Sequence, residues 1–114
     1  AFLSNAADVE VEGNKFLLLG EMLELGESAP AAHEALARAA SQANFKAVHF
    51  FGSSFKHFEL GLETYKNKES CVLSGTYEES LAKKIQSMLE PKDAIFIKAS
   101  RGMRLERFMD LLRE

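Results

Sequence analysis

Four short apolar runs, separated by segments with helical spacing, are the feature that most constrains the fold of this chain. The runs span residues 15–19, 47–51, 70–74 and 94–99. Each is predicted to be a strand, and the first is an apolar run too short for a helix, which is typical of a buried strand. Strands that alternate with helices favour a mostly parallel sheet, right-handed crossovers and helices on both faces. The sequence therefore predicts a three-layer α/β fold with the order β-α-β-α-β-α-β-α.

The helical segments follow these runs, and three of them carry start signals of their own. The signals are Ser28 with Pro30, Ser53 with Ser54, and a capping box from Thr76 to Glu79. The glycine at position 61 weakens the second helical pattern, because an interior glycine destabilises a helix. The side chains predicted to face the core are, helix by helix, Ala32, Leu36, Ala39, Ala40 and Ala43; Phe55, Phe58, Leu62 and Tyr65; Tyr77, Leu81, Ile85, Met88 and Leu89; and Leu105, Phe108, Met109 and Leu112.

The length of 114 residues, 46% of them hydrophobic, suits one domain with a single core. Residues 15–114 are predicted to form this domain. Residues 1–14 read as the last turn of a truncated helix, followed from Ala6 by a polar connector.

The charge, cysteine content and hydrophobicity of the chain indicate its expected partners and cellular compartment. The net charge of −3 gives no basic field for nucleic acid, so a nucleic-acid partner is not expected. The single cysteine, Cys71, lies in an apolar run and is predicted to be a small buried side chain in a reducing compartment. No stretch approaches the roughly 18 apolar residues of a membrane span. These features predict a cytoplasmic protein without membrane insertion.

An acidic loop follows the first strand. Residues 20–26 begin and end with glycine and include Glu21 and Glu24. Open α/β sheets bind ligands beyond the carboxyl ends of their strands, which is where this loop is predicted to lie.

A basic loop follows the last strand and is expected at the same edge. Lys98, Ser100 and Arg101 bring two cations and a hydroxyl group to a predicted helix amino terminus, which favours an anion. Arg101 could bind a carboxylate or a phosphate through two hydrogen bonds. Alternatively, the two cations neutralise Glu21 and Glu24 across the edge.

The three histidines give no recognisable metal site. His33 follows the acidic loop and is predicted to be a half-exposed helix residue, His49 a structural strand residue, and His57 a surface helix residue. The sequence also lacks a P-loop, a dinucleotide-binding glycine motif, the phosphoacceptor aspartate of a receiver domain, and a nucleophile with a neighbouring base.

Two segments resemble the Mur ligase family. Residues 18–26, LLGEMLELG, resemble that family's LGDMLELG segment, and residues 97–106, IKASRGMRLE, resemble its VKGSRGMxLE segment. His33 falls where the family has a histidine. Glu21 replaces the family's usual aspartate, and Ala99 replaces a glycine.

The resemblance implies the carboxy-terminal, Rossmann-like domain of a larger ATP-dependent ligase. The matching branch of the family adds D-alanyl-D-alanine to UDP-N-acetylmuramoyl-tripeptide in peptidoglycan precursor synthesis. ATP phosphorylates the tripeptide carboxylate, and the dipeptide amine then attacks the acyl phosphate. In that family ATP and Mg2+ are bound mainly by a central domain, while the carboxy-terminal domain binds the incoming dipeptide and closes over ATP. This chain alone is therefore expected to be inactive and to hold neither a catalytic residue nor a metal.

The same resemblance implies which residues contact the substrate. Ser100 and Arg101 are expected at the dipeptide carboxylate, with Lys98 facing the same cleft. The loop from Gly20 to Gly26, with Glu21, Met22 and Glu24, is expected to form the opposite wall, and Gly102 and His33 are further substrate-binding candidates.

Two alternatives remain open from the sequence. One is the equivalent domain of another ATP-dependent amide ligase, such as another Mur ligase or a folylpolyglutamate synthase. The other is a stand-alone α/β binding module that shares the fold.

Overall fold

A computed structural model describes residues 2–113, with the exception of the Glu24 side chain. The strands are β1 (Lys15–Gly20), β2 (Ala47–Phe51), β3 (Leu73–Ser74) and β4 (Ala94–Lys98). The α-helices are α1 (Phe2–Asp8), α2 (Ala29–Gln42), α3 (Phe55–Gly61), α4 (Glu79–Met88) and α5 (Glu106–Leu112). Short 3-10 helices cover Leu23–Ser28, Lys68–Ser70 and Arg101–Met103.

The four strands form one parallel sheet in the order β3-β2-β1-β4. In the centre of the sheet, Leu18 of β1 lies opposite His49 of β2 and Ile97 of β4. The predicted parallel sheet and the predicted order of elements from residue 15 onward are confirmed. Because β1 lies between β2 and β4, the loop that follows β1 is flanked by the loops that follow both neighbours.

Two hydrophobic clusters fill the space on the two faces of the sheet. Leu17 and Leu19 point into a cluster with α1, α2 and α3, whereas Leu18 points into a cluster with α4 and α5. Successive side chains of a strand alternate between faces, so a continuous apolar run supplies both clusters. The predicted three-layer architecture is therefore confirmed.

The amino-terminal segment differs from its prediction. Residues 6–8, predicted to be part of a polar connector, continue helix α1, and the Ala6 side chain is buried in the core. The Lys15 ammonium group donates hydrogen bonds to the carbonyl oxygens of Ala6, Ala7 and Val9, at 3.1, 2.5 and 3.1 Å. A cation at a helix carboxyl terminus satisfies carbonyl groups that have no partner within the helix.

Helix α3 and strand β3 are shorter than predicted. Helix α3 ends at Gly61, where a Cβ atom would overlap the carbonyl oxygen of Glu34 and the methyl group of Ala37. The glycine thus permits close packing against α2. Residues 70–72 lie outside β3, because a 3-10 helix ends at Ser70 and only Leu73 and Ser74 pair with β2.

Two predicted helix starts are confirmed, whereas the predicted side-chain caps and parts of the predicted helix faces are wrong. Ser28 and Ser54 stand at the N-cap positions of α2 and α3, but neither caps its helix through its side chain, and Glu78 rather than Thr76 stands at the start of α4. Ala37 is buried where Ala39 was predicted, and Leu111 is buried where Met109 was predicted; Met109 is 45% exposed. Spacings of three and four residues are both compatible with a helical face, and contacts with the sheet select between them. Within residues 2–113, no helix has the length and apolarity needed to cross a membrane.

Candidate functional site

The loops after β1, β2 and β4 meet at the carboxyl edge of the sheet, as the sequence predicts. Gly20 is the last residue of β1, and its backbone lies against the loop after β4. A Cβ atom at Gly20 would lie 2.6 Å from the Ala99 methyl carbon and 3.1 Å from a Leu105 methyl carbon. Glycine at position 20 therefore leaves the space that Ala99 fills.

Glu21 connects the loop after β1 to the loop after β2. Its side chain is only 5% exposed; one carboxylate oxygen accepts a hydrogen bond of 2.8 Å from the Ser54 amide, and the other accepts one of 2.7 Å from the Ser54 hydroxyl group. The Glu21 amide donates to the Phe51 carbonyl oxygen at 3.1 Å. Gly52 makes room for this arrangement, because a Cβ atom there would lie 2.7 Å from the Glu21 carboxylate. Ser54, predicted as a helix cap, instead binds a buried carboxylate.

The next two amides of the loop are bound by other elements. The Met22 amide donates to His33 Nε2 at 3.0 Å, and the Leu23 amide donates to the Ser100 hydroxyl oxygen at 2.8 Å. The Ser100 amide in turn donates to the Glu21 carbonyl oxygen at 3.4 Å. Three consecutive residues are thus held by β2, α2 and the loop after β4, so their amides do not form a nest that could bind an anion.

His33 is buried, in contrast to the prediction that it is half-exposed. Its side chain is 0% exposed, and its ring meets the Phe50 ring edge to face, with centroids 5.3 Å apart. Nδ1 lies 2.6 Å from the Ala29 carbonyl oxygen, while Nε2 accepts from Met22. The neutral tautomer with its proton on Nδ1 satisfies both contacts. The Glu21 carboxylate lies 3.9 Å from Nδ1, too far for a hydrogen bond.

The basic loop was predicted to begin an α-helix, but it does not. Arg101 opens a 3-10 helix of three residues, and α5 starts only at Glu106. Arg104, between the two, adopts a left-handed conformation with φ of 53° and separates them. Gly102 lies against the loop after β1, because a Cβ atom there would be 2.6 Å from a Leu23 methyl carbon.

The cations Lys98 and Arg101 are exposed, and neither forms an ion pair with Glu21. The Lys98 ammonium group lies 5.6 Å from the centre of the Phe2 ring. Because Ser54 binds the Glu21 carboxylate, the alternative in which these cations neutralise Glu21 is wrong. The other predicted partner, the Glu24 side chain, lies outside the described part of the chain, as does its predicted contact with substrate.

Two ionisable groups outside this edge, His49 and Cys71, have shifted pKa values. Burial, followed by the positive charge of Lys84, lowers the pKa of His49 to about 4. Burial raises the pKa of the Cys71 thiol, which disfavours the thiolate. His57 is exposed on α3, as predicted. Among the described side chains, which exclude that of Glu24, no group of three His, Cys, Asp or Glu residues could hold a metal ion.

The fold and this edge define an open, parallel α/β domain of the class that binds ligands beyond the carboxyl ends of its strands. No family model matches the chain. It is 32% identical over 107 residues to the UDP-N-acetylmuramoyl-tripeptide--D-alanyl-D-alanine ligase of Borreliella burgdorferi, covering 93% of this chain and 22% of the ligase. It is 33% identical over 97 residues to the ligase of the same name from Rickettsia prowazekii, covering 85% of this chain and 21% of that protein.

Solved structures agree with these relatives. A MurF ligase from Thermotoga maritima in complex with ADP matches 90% of this chain and 22% of that chain, with 29% identity and a TM-score of 0.65. A MurF structure from Acinetobacter baumannii matches 96% of this chain and 25% of that chain, with 24% identity and a TM-score of 0.75, which supports the fold alone. The predicted resemblance to the Mur ligase family is confirmed, and the chain is a relative of these ligases over most of its length. It spans about a fifth of the length of the curated relatives.

Proposed function

We propose that this chain is the carboxy-terminal, substrate-binding and closing domain of an ATP-dependent ligase that adds D-alanyl-D-alanine to UDP-N-acetylmuramoyl-tripeptide. The observation that carries the proposal is the similarity to two ligases of that name over 93% and 85% of the chain. The reaction belongs to peptidoglycan precursor synthesis and would take place in the cytoplasm.

The exposed cations at the edge of the sheet suit a substrate that carries a carboxylate. Arg101 lies beside Ser100, which is itself held against the loop after β1. An arginine at this position would bind the dipeptide carboxylate, with Lys98 adding positive charge and Gly102 continuing the same binding loop. Gly20 and Met22 would form the opposite wall, with Glu21 and His33 beneath it.

The cofactors of the proposed reaction are ATP and Mg2+, held mainly by a part of the ligase outside this chain. The bound ADP in the similar Thermotoga structure supports nucleotide use. The described residues offer no cluster of metal ligands. The contribution proposed for this domain is therefore proximity and charge stabilisation on closure, which require no nucleophile from the moving domain.

The test is ligation by the full-length parent protein, with ATP, Mg2+, UDP-N-acetylmuramoyl-tripeptide and D-alanyl-D-alanine, assayed beside the 114-residue chain. Product formation by the parent and none by the chain alone is the expected result. Inactivity of a folded parent with this dipeptide, but activity with another amine substrate, would favour another amide ligase. ATP-dependent product formation by the chain alone would contradict the assignment of a closing domain.

A further inference from the structure

We propose that His33 is a positioning residue that fixes the loop after β1 and, through it, the loop that carries Ser100 and Arg101. This inference rests on the proposed function, because it concerns the site at which the dipeptide would bind. It differs from the expectation that His33 itself contacts substrate.

His33 is completely buried. With 0% of the residue exposed, a substrate molecule at the edge of the sheet has no access to the ring. Both ring nitrogens are already engaged with backbone groups, at Ala29 and Met22. A histidine in this environment can affect a bound ligand only by fixing the backbone segments to which it is hydrogen-bonded.

His33 holds the backbone of Met22 through a hydrogen bond. The Met22 amide has Nε2 as its acceptor, and the backbone of Met22 is extended, with φ of −92° and ψ of 91°. Without an acceptor on α2, this partly buried amide would lose its partner and the loop would lose one of its attachments.

The loop after β1 is connected in turn to the basic loop. Leu23, the residue after Met22, donates its amide to the Ser100 hydroxyl oxygen, and the Leu23 side chain contacts Gly102. Arg101 lies between Ser100 and Gly102 in the sequence. A shift of Met22 would therefore move the loop that carries Arg101, the residue proposed to bind the dipeptide carboxylate.

The test compares His33→Gln with His33→Leu in the full-length parent protein. A glutamine can place its amide oxygen near the position of Nε2 and accept from Met22, whereas leucine fills similar space without an acceptor. We expect His33→Leu to raise the KM for D-alanyl-D-alanine about tenfold, whereas His33→Gln should change that KM by less than about threefold. The KM for ATP should change by less than about threefold in both variants. Equal KM values for the dipeptide in the two variants would overturn the proposal.

Hydrogen exchange of residues 21–23 supplies a readout that does not depend on ligase activity. Amide protection in this segment is expected to fall in His33→Leu and to persist in His33→Gln, with β2 unchanged in both variants. Unchanged protection in both variants would refute the positioning role even if the parent is an active ligase. The expected loss of protection in a parent that lacks ligase activity would instead refute the proposed function alone.

A variant that fails to fold does not leave the proposal untested. If His33→Leu does not fold, His33→Asn replaces it, because its shorter amide does not reach the Met22 amide. Compared with His33→Gln, His33→Asn is expected to have a higher KM for the dipeptide and lower amide protection of residues 21–23. Identical behaviour of the asparagine and glutamine variants would overturn the proposal.

Discussion

Glu21 and Ser54 form a doubly hydrogen-bonded pair, in which both carboxylate oxygens of the glutamate accept from the serine, at 2.8 Å from its amide and 2.7 Å from its hydroxyl group. Removal of the hydroxyl group leaves one oxygen of a buried carboxylate without that donor. We expect Ser54→Ala to lower the free energy of unfolding of the chain by about 1–3 kcal/mol, measured by urea denaturation. Ser53→Ala, at the exposed neighbouring position, is the matched control and should change it by less than about 0.5 kcal/mol. Equal stability of the two variants would contradict a stabilising role for this pair.

Gly20 and Ala99 are predicted to behave as a coupled pair. A methyl group added by Gly20→Ala would lie 2.6 Å from the Ala99 methyl carbon, so the variant should lose about 1–3 kcal/mol of stability through overpacking. The double variant Gly20→Ala with Ala99→Gly removes that clash and should recover part of the loss. A double-mutant cycle by urea denaturation measures the coupling energy. Strict additivity of the two changes would mean that the contact is not the cause.

Buried His49 should make the chain less stable in mild acid. Its pKa lies near 4 in the folded chain and near 6.5 when unfolded, so the unfolded state binds the proton first as pH falls. The contribution to stability is complete above pH 6.5 and falls between pH 6.5 and about 4. The total loss from this group is at most about 3 kcal/mol.

The variant His49→Asn separates this titration from that of the carboxylates. Asparagine can still accept the hydrogen bond that Val72 donates to Nδ1 at 2.9 Å, but it does not titrate. Urea denaturation at pH 7 and pH 4.5 should show a smaller loss of stability in this variant than in the unsubstituted chain. His57→Asn, at an exposed position, is the control and should keep the full loss. The same loss in both variants would exclude His49 as its source.

Arg101 is the position where a substitution should separate the two substrates of the proposed ligase. In the full-length parent, Arg101→Ala removes a charged donor, and we expect the KM for D-alanyl-D-alanine to rise at least about tenfold with little change in that for ATP. Arg38→Ala, on the exposed face of α2, is the matched control and should leave both values unchanged. An equal rise in both KM values after Arg101→Ala would contradict a role at the dipeptide carboxylate.

The order of strands and helices along the chain can be predicted from local sequence patterns. The short apolar runs and the segments between them defined four strands, the parallel sheet and the edge at which the loops after β1 and β4 meet. Apolar periodicity and turn residues act over a few neighbouring residues, so they can be read without knowledge of the rest of the fold.

The contacts between groups at that edge depend on the three-dimensional packing of the chain. The partners of the loop after β1 are distant in sequence: Ser54 lies 33 residues from Glu21, and Ser100 lies 77 residues from Leu23. Ser54 resembles a helix cap in sequence, but a buried carboxylate competes for its hydroxyl group. His33 resembles a half-exposed helix residue until α2 packs against the sheet and encloses it. These outcomes depend on how the crossovers bring distant segments together, and no local pattern encodes that arrangement.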